Sequence, residues 1–135
     1  MNSEVPLSDL ARLHFEKLNP LSIDQEVEHY SIPSWSEGAP ERCHSSDIQS
    51  TKFLLPDCES ILVSRLNPEV HKVWRVEENH SNITRLASTE WAVVIPLDAG
   101  EIDFINCAVD EPSFQHQLEA YVTGTTSSHK RVRST

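Results

Sequence analysis

The sequence predicts an α+β domain in which N-terminal helices and a C-terminal helix pack on an antiparallel β-meander over about residues 70–107. Three observations favour this class. Two segments with helix-capping residues lie near the start, alternating apolar runs occupy the middle, and an apolar stripe with helical spacing follows Pro112. At 135 residues, 38% of them hydrophobic, the chain is long enough to form one domain with its own core.

Two helices are predicted near the start of the chain. One spans about 8–18, because Ser8 can cap its first turn and Pro20 would stop it soon after its end. The other spans about 23–30, because Ser22 is followed three residues later by a glutamine, which is the spacing of a capping box. Both helices would lie on one face of the sheet.

The next segments are less regular. Residues 31–51 contain prolines, a glycine and several serines that interrupt any period, so we interpret them as a long ordered loop. Trp35 in this loop is either an exposed anchor for a partner or a peg packed against the domain, and we favour the peg. Over 57–66 the apolar residues fit a helix and a strand about equally, and both stay open.

Alternation of apolar and polar residues predicts the strands of the meander. They are expected over 70–76, 83–87, 91–97 and 101–107. The last two would form a hairpin, because a short connection that ends in Gly100 separates them.

The end of the chain predicts a helix and then a tail. Pro112 suits the first turn of a helix over about 112–122, where large apolar side chains recur on one face. Residues 123–135 carry three basic residues and few apolar ones, which predicts a flexible basic tail. The chain therefore divides into one acidic domain over 1–122 and this tail.

Charge is distributed unevenly along the chain. Residues 1–122 hold all 21 acidic residues and eight basic residues, a net charge of −13, whereas the tail carries +3. A body this acidic repels phosphate backbones, so we expect no direct binding of nucleic acid by the domain. Such a surface suits a basic protein partner, although the same charge also favours solubility.

Five residues are the candidates for partner binding. On the predicted second helix, Asp24 and Glu28 would share one face. On the predicted hairpin, Glu101 and Asp103 would share the solvent face, and Trp35 is the fifth candidate. Association through these charges should weaken as salt rises, because the Debye length shortens.

Cysteine usage and hydropathy suggest a compartment. Cys43, Cys58 and Cys107 lack paired spacing, which disfavours a disulfide framework and favours a reducing environment. No apolar stretch approaches the roughly 20 residues of a membrane-spanning helix, and the N-terminus lacks the apolar region of a signal peptide. We therefore expect a cytoplasmic protein with no membrane association.

Histidines raise an alternative metal hypothesis. His80-Ser81-Asn82, followed by the strand sequence WAVVIPLD, resembles the strand-turn arrangement of cupin-like 2-oxoglutarate oxygenases. The resemblance implies an Fe(II) site used with 2-oxoglutarate, with His80 as a ligand and His71 as a further candidate. Asn82 departs from the family pattern, because it stands where a carboxylate would offset the charge of Fe(II). The main expectation is therefore no metal and no cofactor.

The leading functional hypothesis is a non-enzymatic interaction protein that binds a basic protein partner. In size and charge it is comparable to small inhibitors and immunity-type proteins of bacteria or phages. Two alternatives stay open: a metal-dependent cupin-like enzyme that uses His80, and a virion or complex subunit that binds its neighbours through the tail. No catalytic residue is assigned, because the chain has no nucleophile elbow and no glycine-rich phosphate loop.

Overall fold

A computed structural model describes residues 7–65, 72–109 and 111–123. The strands are β1 (Ala11–His14), β2 (Lys17–Leu18), β3 (Glu26–Tyr30), β4 (Glu41–His44), β5 (Lys52–Leu54), β6 (Ser60–Ser64), β7 (Val73–Val76), β8 (Thr84–Ala87) and β9 (Trp91–Pro96). The α-helices are α1 (Leu7–Leu10), α2 (Ile32–Glu37), α3 (Ile102–Ala108) and α4 (Pro112–Thr123). Short 3₁₀ helices cover Pro20–Ser22, Ser45–Asp47 and Ala99–Glu101.

The strands form two sheets. The first sheet has the order β1-β9-β6-β7 and is antiparallel throughout. The second has the order β2-β5-β8-β3-β4 and is antiparallel except where β3 runs parallel to β8. Helices and sheets are thus combined as in the α+β class, and the predicted fold class is confirmed.

The first sheet is the middle layer of the fold. One of its faces, with Ile61 and Val94 at its centre, packs against Ile105 of α3 and against Phe114 and Leu118 of α4. Every residue of β6 is buried, because helices cover one face of this strand and the second sheet covers the other. The predicted packing of the C-terminal helix on the sheet is therefore confirmed.

The space between the two sheets holds a second apolar cluster built around aromatic rings. Trp91 of the first sheet is fully buried there, together with Leu62 and Val93, and it faces Tyr30 and Phe53 of the second sheet. The indole N–H of Trp91 donates a hydrogen bond of 3.0 Å to the carbonyl oxygen of Tyr30. This bond joins the two sheets directly.

A third cluster lies on the outer face of the second sheet. Val27 of β3 and Leu86 of β8 are buried beneath Ile23 and Ile48. The covering segments are held in place by Ser45, whose hydroxyl donates to the carbonyl oxygen of Ile23 at 2.9 Å. Both faces of the second sheet are therefore covered near its centre.

The first predicted helix, over 8–18, is wrong for most of its length. Only Leu7–Leu10 is helical, and Ala11–His14 is a strand that pairs with β9. The apolar residues that suggested a helical face are used instead by an edge strand, because Ala11 and Leu13 both contact the helix-covered cluster. Long-range pairing here overrides local helical spacing.

The second predicted helix, over 23–30, is also wrong. Residues 26–30 form β3, which lies between β4 and β8 in the second sheet. The burial of Val27 on one face and of Tyr30 on the other fits a strand covered on both sides. The hydroxyl of Ser22 does not cap a helix but donates to the carbonyl oxygen of Asn19 at 2.6 Å.

The predicted loop over 31–51 contains regular structure. It holds α2, β4 and a 3₁₀ turn. A capping box starts α2, because Ser31 and Ser34 exchange side-chain and backbone hydrogen bonds, and Gly38 ends it with φ of 81°. The prediction failed because a six-residue helix with a proline in its first turn has too few residues to show a period.

The undecided segment 57–66 is a strand, β6, over Ser60–Ser64. The predicted strands over 83–87 and 91–97 are close to β8 and β9, and that over 70–76 overlaps β7, although residues 66–71 lie outside the described part of the chain. Their order is not a meander. β8 belongs to the second sheet, and β7 and β9 lie on either side of β6.

The predicted strand over 101–107 is wrong, and so is the hairpin it would form. These residues belong mainly to α3, which the 3₁₀ turn at Ala99–Glu101 precedes. Ile102, Ile105 and Val109 are buried at helical spacing. This helical pattern is longer than the alternation of apolar and polar residues that predicts the strand over 101–107.

The division into one domain and a flexible tail stays a prediction. Thr123 ends α4, and residues 124–135, which hold the rest of the predicted basic tail, lie outside the described residues. In the described ranges, no helix combines the length and the apolar character that crossing a membrane requires.

We expect Trp91→Phe to lower the free energy of unfolding by about 2 to 3 kcal/mol, because it removes the bond to Tyr30 and leaves part of the indole volume empty. Denaturant unfolding measures this change. Phe104→Leu is the control, since the Phe104 side chain is 53% exposed, and it should change stability by less than about 0.5 kcal/mol. Equal effects of the two variants would contradict the role of Trp91.

We expect His29 on β3 to make the stability of the fold depend on pH. Burial, followed by the charge of Lys52, lowers the pKa of His29, although Glu41 opposes the shift. The unfolded chain therefore binds the proton more readily than the folded one, and stability should fall as pH drops through about 6.5. Urea midpoints at about pH 7.5 and 5.5 should differ less in His29→Asn than in the parent protein.

The control for this pH effect is His116→Gln, which changes an exposed histidine of α4. This variant should keep the pH dependence of the parent. If His29→Asn keeps it as well, the acid sensitivity comes from other groups.

Candidate functional site

An open pocket of about 350 Å³ lies where the two sheets meet at one side of the fold. Glu28 and Tyr30 of β3 line it from the second sheet, and Trp74 of β7 lines it from the first. The segment 77–81, which follows β7, completes the wall. Because Glu28, Glu77 and Glu78 all line this cavity, we call it the acidic pocket.

Aromatic rings form part of the wall of the acidic pocket. The ring centroids of Tyr30 and Trp74 are 4.8 Å apart with a tilt of 60°, and Trp74 also meets Trp91 edge-on at 6.1 Å. Tyr30 and Trp91 belong to the buried cluster between the sheets, and Trp74 packs against this cluster. The core therefore fixes the position of Trp74. Indole rings attract cations through the negative potential of their faces.

The charges around the acidic pocket are unevenly compensated. Arg75 at its rim is already bound, because its guanidinium contacts Asp103 at 2.6 Å and Glu59 at 3.7 Å. Across the described residues, Glu77 and Glu78 make no ion pair. Glu77 and Glu78 therefore line the pocket without a direct ion-pair partner in these ranges, although the negative charge of Glu77 acts on the guanidinium of Arg75.

Arg85 of β8 lies behind the acidic pocket and holds its wall in place. The side chain is almost fully buried, and the two terminal nitrogens donate to the carbonyl oxygens of Glu77 at 2.7 Å and Pro56 at 2.6 Å. Its Nε atom is buried and has no hydrogen-bond partner among the described residues. Arg85 thus ties together the segments that follow β5 and β7, and it fixes the start of the segment that carries Glu77 and Glu78.

The hydroxyl of Tyr30 keeps its proton in this setting. Burial raises the pKa of Tyr30, and the charge of Glu28 adds to the effect, while the nearby Arg85 guanidinium opposes it. A neutral phenol beside a buried arginine can donate or accept a hydrogen bond, and it adds no further negative charge to the pocket.

A second pocket of about 310 Å³ lies on the other side of Arg85 and Asn79. His14, Glu16 and Asp57 line it. The Nε2 atom of His14 lies 2.7 Å from the carbonyl oxygen of Leu54 and must carry the proton of this bond, because a carbonyl only accepts. The His14 ring is therefore committed to fixing β1 against β5.

His80 and Asn82, the two residues of the oxygenase-like motif that would bind iron, line different pockets. His80 is exposed and lines the acidic pocket, whereas Asn82, with φ of 61°, lines the second pocket. This separation does not fit a shared iron site, and His71 lies outside the described residues. Across 7–65, 72–109 and 111–123, no three His, Cys, Asp or Glu side chains are grouped so that they could hold a metal ion. The expectation of no metal stays a prediction.

The two predicted acidic patches are rearranged. Asp24 and Glu28 do not share a helix face: Asp24 is 95% exposed and contacts His44 at 2.9 Å, whereas Glu28 lines the acidic pocket. Glu101 and Asp103 do not share a strand face either, because Glu101 precedes α3 and Asp103 lies within it. Of these four residues, Glu28 alone lines the acidic pocket; Asp103 lies outside it and pairs with Arg75 at the rim.

Trp35 is half-buried and packs against the cluster between the sheets. Its indole N–H donates to the carbonyl oxygen of Val73 at 3.0 Å, and the ammonium group of Lys72 lies 5.5 Å from its ring centroid. These contacts attach α2 to β7 and agree with the peg that the sequence favoured. Its role in partner binding stays a prediction.

Of the residues that define the acidic pocket, Glu28 alone is among the five sequence-based candidates for partner binding. In the sequence, Glu77 and Glu78 are an adjacent pair that adds to the acidic charge of the body, and Tyr30 and Trp74 belong to apolar patterns. A signal was present in Arg85, a single arginine within the apolar strand sequence ITRLA, because an unpaired charge in a buried strand indicates a specific structural or binding role.

Comparison of the chain with models of known protein families and with curated proteins gives no match. The geometry and charges of the acidic pocket are therefore the basis for a functional hypothesis.

We expect Arg85→Met to lower the free energy of unfolding by about 3 kcal/mol, because it removes two charge-assisted hydrogen bonds and leaves two carbonyl groups without them. Denaturant unfolding followed by tryptophan fluorescence measures the loss. Arg42→Met is the control, since the Arg42 side chain is 56% exposed and forms only surface ion pairs, and it should cost less than about 1 kcal/mol. A cost for Arg85→Met as small as that of the control would contradict the clamp.

Proposed function

We propose that this protein is a non-enzymatic binding protein whose acidic pocket receives a basic side chain of a protein partner. The observation that carries the proposal is the combination, in one cavity, of the Trp74 ring with the carboxylates of Glu77 and Glu78, neither of which has an ion-pair partner in the described chain. An ammonium or guanidinium group can contact the ring and the carboxylates at the same time.

The geometry favours a cation for two independent reasons. A cation over an indole ring gains roughly 0.5 to 2 kcal/mol, depending on how far it is desolvated. Carboxylates at the rim add electrostatic attraction, which acts mainly on the rate of association and decreases with salt. The net charge of −13 over residues 1–122 extends this attraction beyond the pocket.

An inhibitor or immunity-type role follows if the bound basic surface is itself a functional site of the partner. A rigid pocket suits such a role, because a receptor that is already formed loses little conformational entropy on binding. The hydrogen bonds of Arg85 and the contact between the rings of Tyr30 and Trp74 both favour a rigid pocket wall. A cytoplasmic location is part of the proposal, and the free thiols of Cys43, Cys58 and Cys107 support it.

The test is a double substitution, Glu77→Gln with Glu78→Gln. The probe is a fluorescein-labelled octapeptide of alternating arginine and serine, blocked at its C-terminus, and the Kd is measured by anisotropy at low and high salt. We expect the variant to weaken binding about 10-fold at low salt, because two charge contacts are lost.

The matched control is Glu37→Gln with Glu111→Gln, which removes the same charge from exposed positions that do not line the acidic pocket. It should change the Kd less than about twofold, since only the general field is reduced. If both double variants weaken binding equally, the pocket has no special role and the charge of the body acts alone.

A further inference from the structure

Arg85 presents a charge that the described protein residues leave partly uncompensated. A guanidinium has five N–H donors; two of them bind the carbonyl oxygens of Pro56 and Glu77, and the hydroxyl of Tyr30 lies within hydrogen-bonding reach of the same group. The side chain is 5% exposed, its Nε has no hydrogen-bond partner, and no carboxylate within the described residues forms an ion pair with it. Buried arginines are normally paired with an acid, because burial of an isolated charge is costly.

The same arginine lines the acidic pocket, next to Tyr30 and Trp74. A carboxylate that enters this cavity would give Arg85 the counter-charge it lacks, through charge-assisted hydrogen bonds. A simple anion would be repelled by Glu77 and Glu78, however, which line the same cavity and form no ion pair within the described residues. The ligand that fits must therefore carry a negative group for Arg85 and a positive group for the glutamates.

We propose that the acidic pocket binds the C-terminal residue of a partner chain that ends in lysine or arginine, with the terminal carboxylate at Arg85 and the basic side chain at Glu77 and Glu78. This inference rests on the proposed function and specifies its partner. Such a terminal residue carries both charges on one short unit. The cavity of about 350 Å³ lies at the lower end of the range for ligand sites, as a single-residue ligand requires.

The surrounding residues suit this arrangement. The protonated hydroxyl of Tyr30 can donate to a carboxylate bound at Arg85. The aliphatic stem of a lysine or arginine side chain can lie along the ring of Trp74 on its way to the rim. Arg75 does not compete for the terminal carboxylate, because it is bound to Asp103 and Glu59.

The experiment compares two N-acetylated hexapeptides of sequence Gly-Ser-Gly-Ser-Gly-Arg, one with a free C-terminal carboxylate and one with a C-terminal amide. General attraction to an acidic protein predicts tighter binding of the amide, because it carries one more net positive charge. The proposal predicts the reverse, with the free acid about 10-fold tighter, since only the acid can pair with Arg85.

A residue-specific readout locates the contact without altering the fold. In ¹⁵N-labelled protein, the side-chain Nε–H signal of Arg85 should shift on titration with the free acid and stay unchanged with the amide. Arg85→Lys, checked for folding by circular dichroism, should remove the preference for the acid. If this variant does not fold, the Nε–H signal of the parent protein still decides.

The outcomes separate this inference from the proposed function. Equal binding of acid and amide, still weakened by Glu77→Gln with Glu78→Gln, would overturn the terminal-carboxylate site and leave the basic-partner proposal standing. Binding of the acid that is indifferent to the glutamate substitutions would overturn both. Tighter binding of free L-arginine than of the peptide acid would assign the pocket to a small molecule and overturn its assignment to a chain terminus.

Discussion

The indole of Trp91 lies fully buried between the two sheets and donates its N–H to the carbonyl oxygen of Tyr30. A second hydrogen bond between the sheets, from the Nε2 atom of His14 on β1 to the carbonyl oxygen of Leu54 on β5, acts together with this contact to fix how the sheets lie on each other. The same tryptophan contacts Trp74, and the Trp74 ring meets that of Tyr30 at a tilt of 60°, so three aromatic rings lead from the centre of the core to the wall of the acidic pocket. The shape of the candidate site is therefore a direct result of packing between the sheets.

Arg85 adds a polar constraint to this apolar one. It lies on a central strand of the second sheet, yet its terminal nitrogens bind backbone oxygens of two segments that leave the sheets, at Pro56 and Glu77. Beyond the buried Leu55, packing alone does not fix these segments, because no side chain of residues 56–59 or 77–82 is buried. The guanidinium of Arg85 fixes both segments through their carbonyl oxygens, yet its Nε atom has no hydrogen-bond partner among the described residues. The wall of the pocket therefore contains a buried positive charge with a hydrogen-bond donor that the described chain leaves free.

The elements that could be predicted from the sequence are those whose local pattern agrees with their tertiary role. β9 and α4 carry long apolar patterns with one clear period. β3 could not be recognised, because the capping-box spacing just before it indicates a helix and the strand is short. Its extended structure depends on pairing with β4 and β8, which the local sequence does not show. The pocket could not be predicted either: Tyr30, Trp74 and Glu77 are far apart in the chain, and only the stacking of two sheets brings them together.

β7 is an edge strand of the first sheet, and its outward side is shielded by side chains from other elements. The backbone N–H of Ser64 donates a hydrogen bond to the carbonyl oxygen of Lys72. Because hydrogen-bonded and non-hydrogen-bonded pairs alternate along an antiparallel ladder, the backbone N–H and C=O groups of Val73 and Arg75 point away from β6. The indole of Trp35 occupies the carbonyl oxygen of Val73, and Arg85 occupies that of Glu77 just beyond the strand. The carbonyl oxygens of Val73 and Glu77 are therefore unavailable to a foreign strand, which lowers the tendency of this one edge to pair with another chain.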